Sequence, residues 1–485
     1  MVATAEVPHV APIDRALSLV RWGGTAASAA VALGVTRAGT AGGATPPDGP
    51  LGLWRPDADH PVGWAVLALF GLTALALVFL RLYRLTSAGA VDLRSVAVVA
   101  ACWSAPMLVA PPVLSLDVWS YMAQGTMVGR GVDPYAYGPS LLGPGSILDA
   151  VSPVWRDTPA PYGPLMLAVL TLVADVGSMS VAALLLRALV AAAVLAVAVL
   201  ATRLAPPAER PLALLLVAAN PLVVVHLVGG AHLDALLGLL AVVTIWSVRR
   251  RWYVVAAAAA ALAFSVKLPG VLLIGYLLAH LIRQPLGLRR RLGAVVTLGA
   301  VVLGCSLLVP DGWGWLGAMD VPGRVRIYWA PASLVGSVFY AVTGGGVPFT
   351  DALAFGRSLV AAAGAITIAA LLWRAGAEPN WRRAGASVGA ALLVLAVSAP
   401  VMHAWYVVWG GVLLAACAGA RRRGWAVVLS AALCFSAVPD QLGGTAWSVL
   451  AVPLCLGVVL VDAVRAVFPA RPHRWVPTRA AVDTA

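Results

Sequence analysis

The 485-residue chain is 61% hydrophobic and only 11% charged, and its mean hydropathy of +0.91 is more than a soluble core could hide. Apolar runs recur along its length without strand alternation, which argues against a barrel and for an all-α, polytopic transmembrane helical bundle. A net charge of +13 would suggest nucleic acid in a soluble protein; here the arginines gather in short segments between apolar runs, so the charge reports topology and no nucleic-acid partner is expected.

In chain order, about 14 spans are expected, each built from an apolar run near the roughly 20 residues that cross hydrocarbon. They lie near 16–36, 61–83, 95–113, 180–203, 211–228, 232–248, 252–267, 269–283, 292–309, 351–373, 384–401, 404–420, 424–438 and 446–468. Arg15 and Arg21 before the Ala/Gly-rich run ending near Ala41 also have the outline of a signal peptide, but the long polar start favours a span. An even count places both termini on one side. Arg81, Arg84, Arg203, Arg210, Arg249 to Arg251, Arg289 to Arg291, Arg382, Arg383 and Arg421 to Arg423 then all face the cytoplasm, as arginine bias requires. The expectation is one multi-pass domain, 1–485, in the cell (inner) membrane with both termini cytoplasmic and a basic cytoplasmic tail at 469–485.

Two connections, 114–179 and 310–350, are long and fall on the arginine-poor, extracytoplasmic side, where long loops commonly carry function. Inside the first, the apolar stretch from Pro164 to Val176 is short for a span. If it crossed, Arg249 to Arg251 and Arg421 to Arg423 would move outside, so it is expected to be an interfacial helix within the loop.

The first loop opens on "SLDVWSYMAQG", in which Asp117 follows an apolar run ending at Pro111-Pro112. A carboxylate so close to hydrocarbon is costly unless used or paired. Burial suits it to act as a general base, and N-capping the next helix is the competing role. The single lysine, Lys267, interrupts the apolar run "LAFSVKLPG"; its ammonium fits a phosphate, or snorkels from a helix end. In "NPLVVVHLVGGAHLDALLG", His232 and Asp234 stand at a turn, where they either orient a polar ligand or complement a helix N-terminus. Arg187 near the outer end of its span has the same two readings as Lys267. Arg324 and Arg326 sit among aromatics in the second long loop, suiting either oxyanion and sugar contacts or an interfacial aromatic belt. His403 in "APVMHAWYVVW" is a ligand contact or a structural histidine. Asp133-Pro134 and "PAPYGP" read as turns. Cys102, Cys305, Cys417, Cys434 and Cys455 have neither disulfide nor metal-site spacing and are expected in packing. Nucleotide-binding loops, serine elbows and zinc motifs are missing from the sequence, and neither cofactor nor metal is expected.

The joint order of "DVWSYMAQG", "GVDPYAYGP", "TPAPYGPL", "NP…HLDALLG" and "SVKLPG" resembles the polyprenol-phosphomannose-dependent α-1,6-mannosyltransferases of actinobacteria, within the GT-C superfamily. The resemblance is densest over 114–270. It implies a GT-C-type bundle with an extracytoplasmic active site, a polyprenyl-phosphate-mannose donor and a lipid-anchored mannan acceptor, as in lipomannan and lipoarabinomannan assembly, with membrane lipid around it. By the same resemblance Asp117 is the catalytic base, and Lys267, Arg187, Arg324 and Arg326 are donor-phosphate contacts. His232, Asp234, His403, Tyr121 and Tyr162 are substrate contacts. A transporter or flippase of lipid-linked sugar is the alternative from another class, and a donor carrying arabinofuranose or glucose the alternative within this one.

Overall fold

The computed structural model describes residues 11–39, 43–320, 330–438 and 446–468, together with Ile327 and Leu442. All regular elements among them are helical. Helices α1 (Ala11–Ala38) and α2 (Pro61–Ser87) run antiparallel. Gly34 lies against the backbone of Trp64 and Ala68, and Gly71 against that of Ala27 and Val31, contacts too close for a Cβ. Helix α3 (Leu93–Val109) is capped by Asp92, whose carboxylate accepts from the Ser95 N–H at 2.8 Å.

The segment 114–179 holds α4 (Asp117–Gly129), the short α5 (Ser146–Ala150) and α6 (Pro164–Ala174). At 11 residues, α6 is about 16 Å long, half of what hydrocarbon requires. It packs on α4 so closely that Gly125 meets the Leu170 backbone. Then follow α7 (Met179–Leu204), α8 (Arg210–Ala218), α9 (Asp234–Arg249), α10 (Tyr253–Val266), α11 (Val271–Arg283) and α12 (Leu288–Ser306). The 310–350 segment contributes α13 (Pro331–Val342), whose Gly336 abuts the backbone of Ala352 and Leu353 in α14 (Phe349–Ala377). Helices α15 (Trp381–Ser398), α16 (Val408–Cys417), α17 (Ala420–Leu433) and α18 (Ala446–Val467) complete the bundle.

The described residues contain five helices long and apolar enough to cross a membrane, or six if one bent pair counts as a span, against the 14 or so expected. Several expected spans are shorter helices, because polar residues and prolines interrupt them. The expected 211–228 span bends by 53° between α8 and a π-helical turn, Val223–Gly229. Asn220 satisfies the break, donating to Leu216 O and Ser430 Oγ while accepting from the Leu222 N–H. The expected 252–267 and 269–283 spans become α10 and α11, parted by extended Lys267 and a 3-10 turn at Leu268–Gly270. The tail 469–485 lies outside the described residues.

Polarity is concentrated at the two ends of these helices. Asp234, at the start of α9, meets Lys267, just past the end of α10, at 2.9 Å. At the other ends of the same helices lie Arg249 and Tyr253, where the Arg249 guanidinium donates to Arg203 O. Nearby connections at the arginine-rich end are tied by Glu209, which pairs with Arg382 at 2.9 Å and Arg423 at 2.6 Å.

Candidate functional site

Two strained turns present the site. Leu114 (φ 53°) and Ala231 (φ 52°) occupy the left-handed region, a conformation that non-glycine residues adopt only when their surroundings impose it. Three residues after each comes a carboxylate, Asp117 and Asp234, both first in their helices. The turns are joined by Val113 N–H donating to Gly229 O at 3.0 Å. Gly230 is required here, because a Cβ would fall 2.5 Å from His226 O and 2.9 Å from the His232 ring.

Arg187 explains how the strain is held. Fully buried in α7, it donates through Nε to Val228 O, through Nη1 to Leu108 O and Ala110 O, and through Nη2 to Pro111 O and Gly229 O. A guanidinium has five N–H groups, and all five are committed to carbonyls of the two turns. The phosphate contact expected for Arg187 is therefore corrected: the side chain has no donor left for a ligand, and it neither snorkels nor lines the cleft.

Asp117 lies with its side chain 22% exposed. The capping role weighed for it is not the one it takes, since Leu116 occupies the N-cap and the carboxylate turns toward His232, with Oδ2 3.6 Å from Nδ1. Burial pushes the Asp117 carboxyl up to about 6, with Lys267 pulling it down and Asp234 pushing it further up. Asp234 is in a different state. Its side chain is 1% exposed, and Oδ1 accepts from Lys267 Nζ at 2.9 Å and from Trp409 Nε1 at 2.6 Å. One acid is thus locked and the other open.

Aromatic side chains wall the site. Lys267 Nζ stands 4.5 Å from the Tyr406 ring centre, 5.3 Å from Trp409 and 5.7 Å from Tyr162, contacts that favour the charged ammonium. Tyr162 meets Tyr121 edge to face at 5.3 Å. His232 stacks on Trp405 at 3.7 Å, and His403 stacks on Trp405 at 4.5 Å. Neither ring nitrogen of buried His232 makes a hydrogen bond.

A narrow cleft of about 50 Å³ opens on this cluster, lined among others by Asp117, Ser120, Gln124, Tyr162, His403 and Tyr406. Ser120 Oγ and Gln124 Oε1 are buried without partners, which is costly unless a ligand supplies them. Sequence reasoning missed both. Their spacing from Asp117, three and seven residues along one helix, was the available signal. Trp409, the second partner of Asp234, had no such signal. Asp117, Lys267, His232, Asp234, His403, Tyr121 and Tyr162 are brought together, while Arg324 and Arg326 lie outside the described residues. Among the described residues there is no cluster of His, Cys, Asp and Glu able to hold a metal.

No solved structure matches the chain. Among proteins of known sequence, it is 29% identical over 378 residues to alpha-(1->6)-mannopyranosyltransferase A of Mycobacterium tuberculosis, covering 74% of this chain and 72% of that one. A second alpha-(1->6)-mannopyranosyltransferase of that organism is 30% identical over 65% of this chain and 64% of its own. Alpha-(1->6)-mannopyranosyltransferase A of Corynebacterium glutamicum is 30% identical, over 62% of this chain and 66% of its own. The family profile described as "Alpha-(1->6)-mannopyranosyltransferase, N-terminal domain" matches residues 21–283, which include Asp117, His232, Asp234 and Lys267, and the "MptB C-terminal domain" matches 330–466. The chain belongs to the alpha-(1->6)-mannopyranosyltransferase family.

Proposed function

We propose that this membrane protein is an extracytoplasmic, inverting mannosyltransferase that moves mannose from polyprenyl-phosphate-mannose to a lipid-anchored mannan, forming α-1,6 linkages in lipomannan and lipoarabinomannan backbones. The observation that carries the reading is the contrast between the two acids. Asp234 is consumed by Lys267 and Trp409, whereas Asp117 faces the cleft with a carboxyl pushed up to about 6. A carboxylate already paired serves to position its partners, while one that is open to the cleft is free to take a proton.

An acceptor hydroxyl oxygen attacks C1 of a β-linked phosphomannose from the face opposite the phosphate. The C1–O(phosphate) bond breaks with its electrons passing to polyprenyl phosphate, the configuration inverts to α, and the hydroxyl proton goes to Asp117. Lys267 gives one of its three N–H groups to Asp234 and has two left for the departing phosphate, whose growing charge they stabilise. Arg324 and Arg326 are kept as donor-phosphate contacts on sequence grounds. Ser120, Gln124 and His403 supply polar contacts for sugar hydroxyls, with Tyr121 and Tyr162 as aromatic wall. The cleft belongs to the arginine-poor end of α9 and α10, which supports an extracytoplasmic site with cytoplasmic termini.

The test is transfer by the full chain in membranes, given polyprenyl-phosphate-mannose and short α-1,6-mannosides, with the product linkage read by methylation analysis. An α-1,6-mannosyl product is expected. Preferred use of a polyprenyl-phosphate arabinofuranose or glucose donor, or movement of the lipid-linked sugar without a new glycosidic bond, would overturn the assignment.

A further inference from the structure

A second cavity lies at the ends of α9, α10 and α11 remote from the Asp234–Lys267 pair. Asp234 and Lys267 mark the ends of α9 and α10 nearest the cleft, where Lys267 meets the cleft-lining Tyr162 and Tyr406, and α11 starts just beyond Lys267. The far ends of these three helices carry Arg249, Tyr253 and His280, and these residues line a cavity of about 420 Å³ with Arg251, Arg290 and Glu378. The 14 residues of α10 set it roughly 20 Å from Lys267 at 1.5 Å per residue. It shares no residue with the cleft.

Three features make it a built site. Arg249, Arg251 and Arg290 bring three positive charges against the single carboxylate of Glu378, and none of the three arginines has a carboxylate partner among the described residues. At its base His280, 8% exposed and with its ring tilted against Tyr253 at 5.8 Å, keeps a buried Nδ1 without any hydrogen bond. Such a group is costly unless something occupies the cavity. Arg251, which lines the cavity, is also held at φ 59°, a conformation that is unfavourable for arginine.

Its surroundings say where the ligand comes from. Trp252 and Trp373 at this end are 49% and 53% exposed, and Arg250 and Arg283 lie over their rings, the pattern of side chains at the headgroup level of a bilayer. Basic pockets between transmembrane helices on the arginine-rich side suit anionic headgroups.

We propose that this cavity binds a phosphate-bearing anion, with the phosphate between Arg251 and Arg290 and His280 Nδ1 contacting its oxygen, at a site separate from the transfer chemistry. A phospholipid headgroup and free phosphate share this chemistry. The test uses the full chain in detergent, with phosphatidylglycerol retention followed by native mass spectrometry and inorganic phosphate titrated calorimetrically. Arg251→Gln with Arg290→Gln should reduce retention of whichever ligand binds about 30-fold, two charges at about 1 kcal/mol each. His280→Phe, which keeps a ring against Tyr253, should weaken it severalfold. Arg81→Gln with Arg94→Gln, exposed arginines of equal charge at the same end of the bundle, should leave it unchanged. Phosphatidylglycerol retention identifies a lipid site and phosphate binding without it a soluble-anion site, either of which supports the proposal. Binding of neither probe, or equal loss in the Arg81/Arg94 control, overturns it.

Discussion

Asp117→Asn should move activity and stability in opposite directions. In the proposed transfer the carboxylate removes one proton from the acceptor hydroxyl, a contribution of about 10²- to 10⁴-fold for a positioned base, and an amide of nearly the same shape cannot accept it. For stability the sign follows from burial. The carboxyl stands at about 6 instead of 3.8, so the folded protein holds its proton more tightly than the unfolded chain does. This group therefore imposes no penalty below 3.8, a growing one as pH rises from 3.8 to 6, and the full one above 6. The gap at 1.36 kcal/mol per pH unit is about 3 kcal/mol; with the side chain 22% exposed, solvent screening makes that the ceiling. The Asn variant escapes this penalty. At neutral pH its melting temperature in detergent should equal or exceed that of the parent, while mannosyl transfer from the lipid donor drops at least a hundredfold. Turnover within tenfold of the parent would remove Asp117 as the base, and a clear fall in melting temperature would show that the charge stabilises the site.

The parent's kcat/KM should rise about tenfold per pH unit up to a midpoint near 6 and then level off, as expected for a base that must be ionised; a flat profile across that range would contradict the assignment. Lys267→Met should move the midpoint to higher pH, because the lysine's pull on Asp117 is lost while the push from Asp234 remains, and donor KM should rise with it; an unmoved limb would separate the lysine from the base. Arg187→Lys leaves three N–H groups for five carbonyls, of which only Gly229 O keeps another donor, the Val113 N–H, so at least one acceptor is orphaned at about 1–3 kcal/mol. A melting temperature within a degree of the parent would show that the clamp is dispensable. Gln124→Leu should raise the KM for mannoside acceptors about tenfold, one lost hydrogen bond, with the protein folded; unchanged acceptor kinetics would place the sugar elsewhere.

What could be read from the sequence divides along physical lines. Asp117, Asp234 and Lys267 stood out because an isolated charge beside hydrocarbon is expensive whatever the tertiary structure. The helical class followed from apolar run lengths alone. Pairings were hidden, because Asp234 and Lys267 are 33 residues apart and Asp234 and Trp409 are 175 apart, and nothing local specifies either contact. Arg187 shows the limit most sharply. Its charge and its depth in an apolar run were legible, and both fit a phosphate ligand, but the destination of its five N–H groups depends on backbone turns carried by two other segments. Helix lengths were hidden for a related reason. Hydropathy registers that Leu216, Val217, Val223 and Val224 are apolar, but not that Asn220 breaks the chain between them and bends the expected 211–228 span by 53°.

These breaks bear on the choice between a transferase and a transporter. A transporter that alternates its access needs a polar site near mid-membrane, between repeated halves that rock about it. Here the helix breaks at Leu114, Ala231 and Lys267 converge at one end of α9 and α10, and Arg187 ties the first two of them together through five carbonyls. Such a clamp opposes rocking, since separating the turns would expose every one of those carbonyls in a buried setting. It favours holding Asp117 and His232 at fixed positions, as a base needs if it is to meet the proton it removes without reorganisation. On the proposed function the turn at Leu114 then has a use that transport does not supply: it carries the partly buried carboxylate of Asp117 to the cleft, where the Arg187 clamp would keep it.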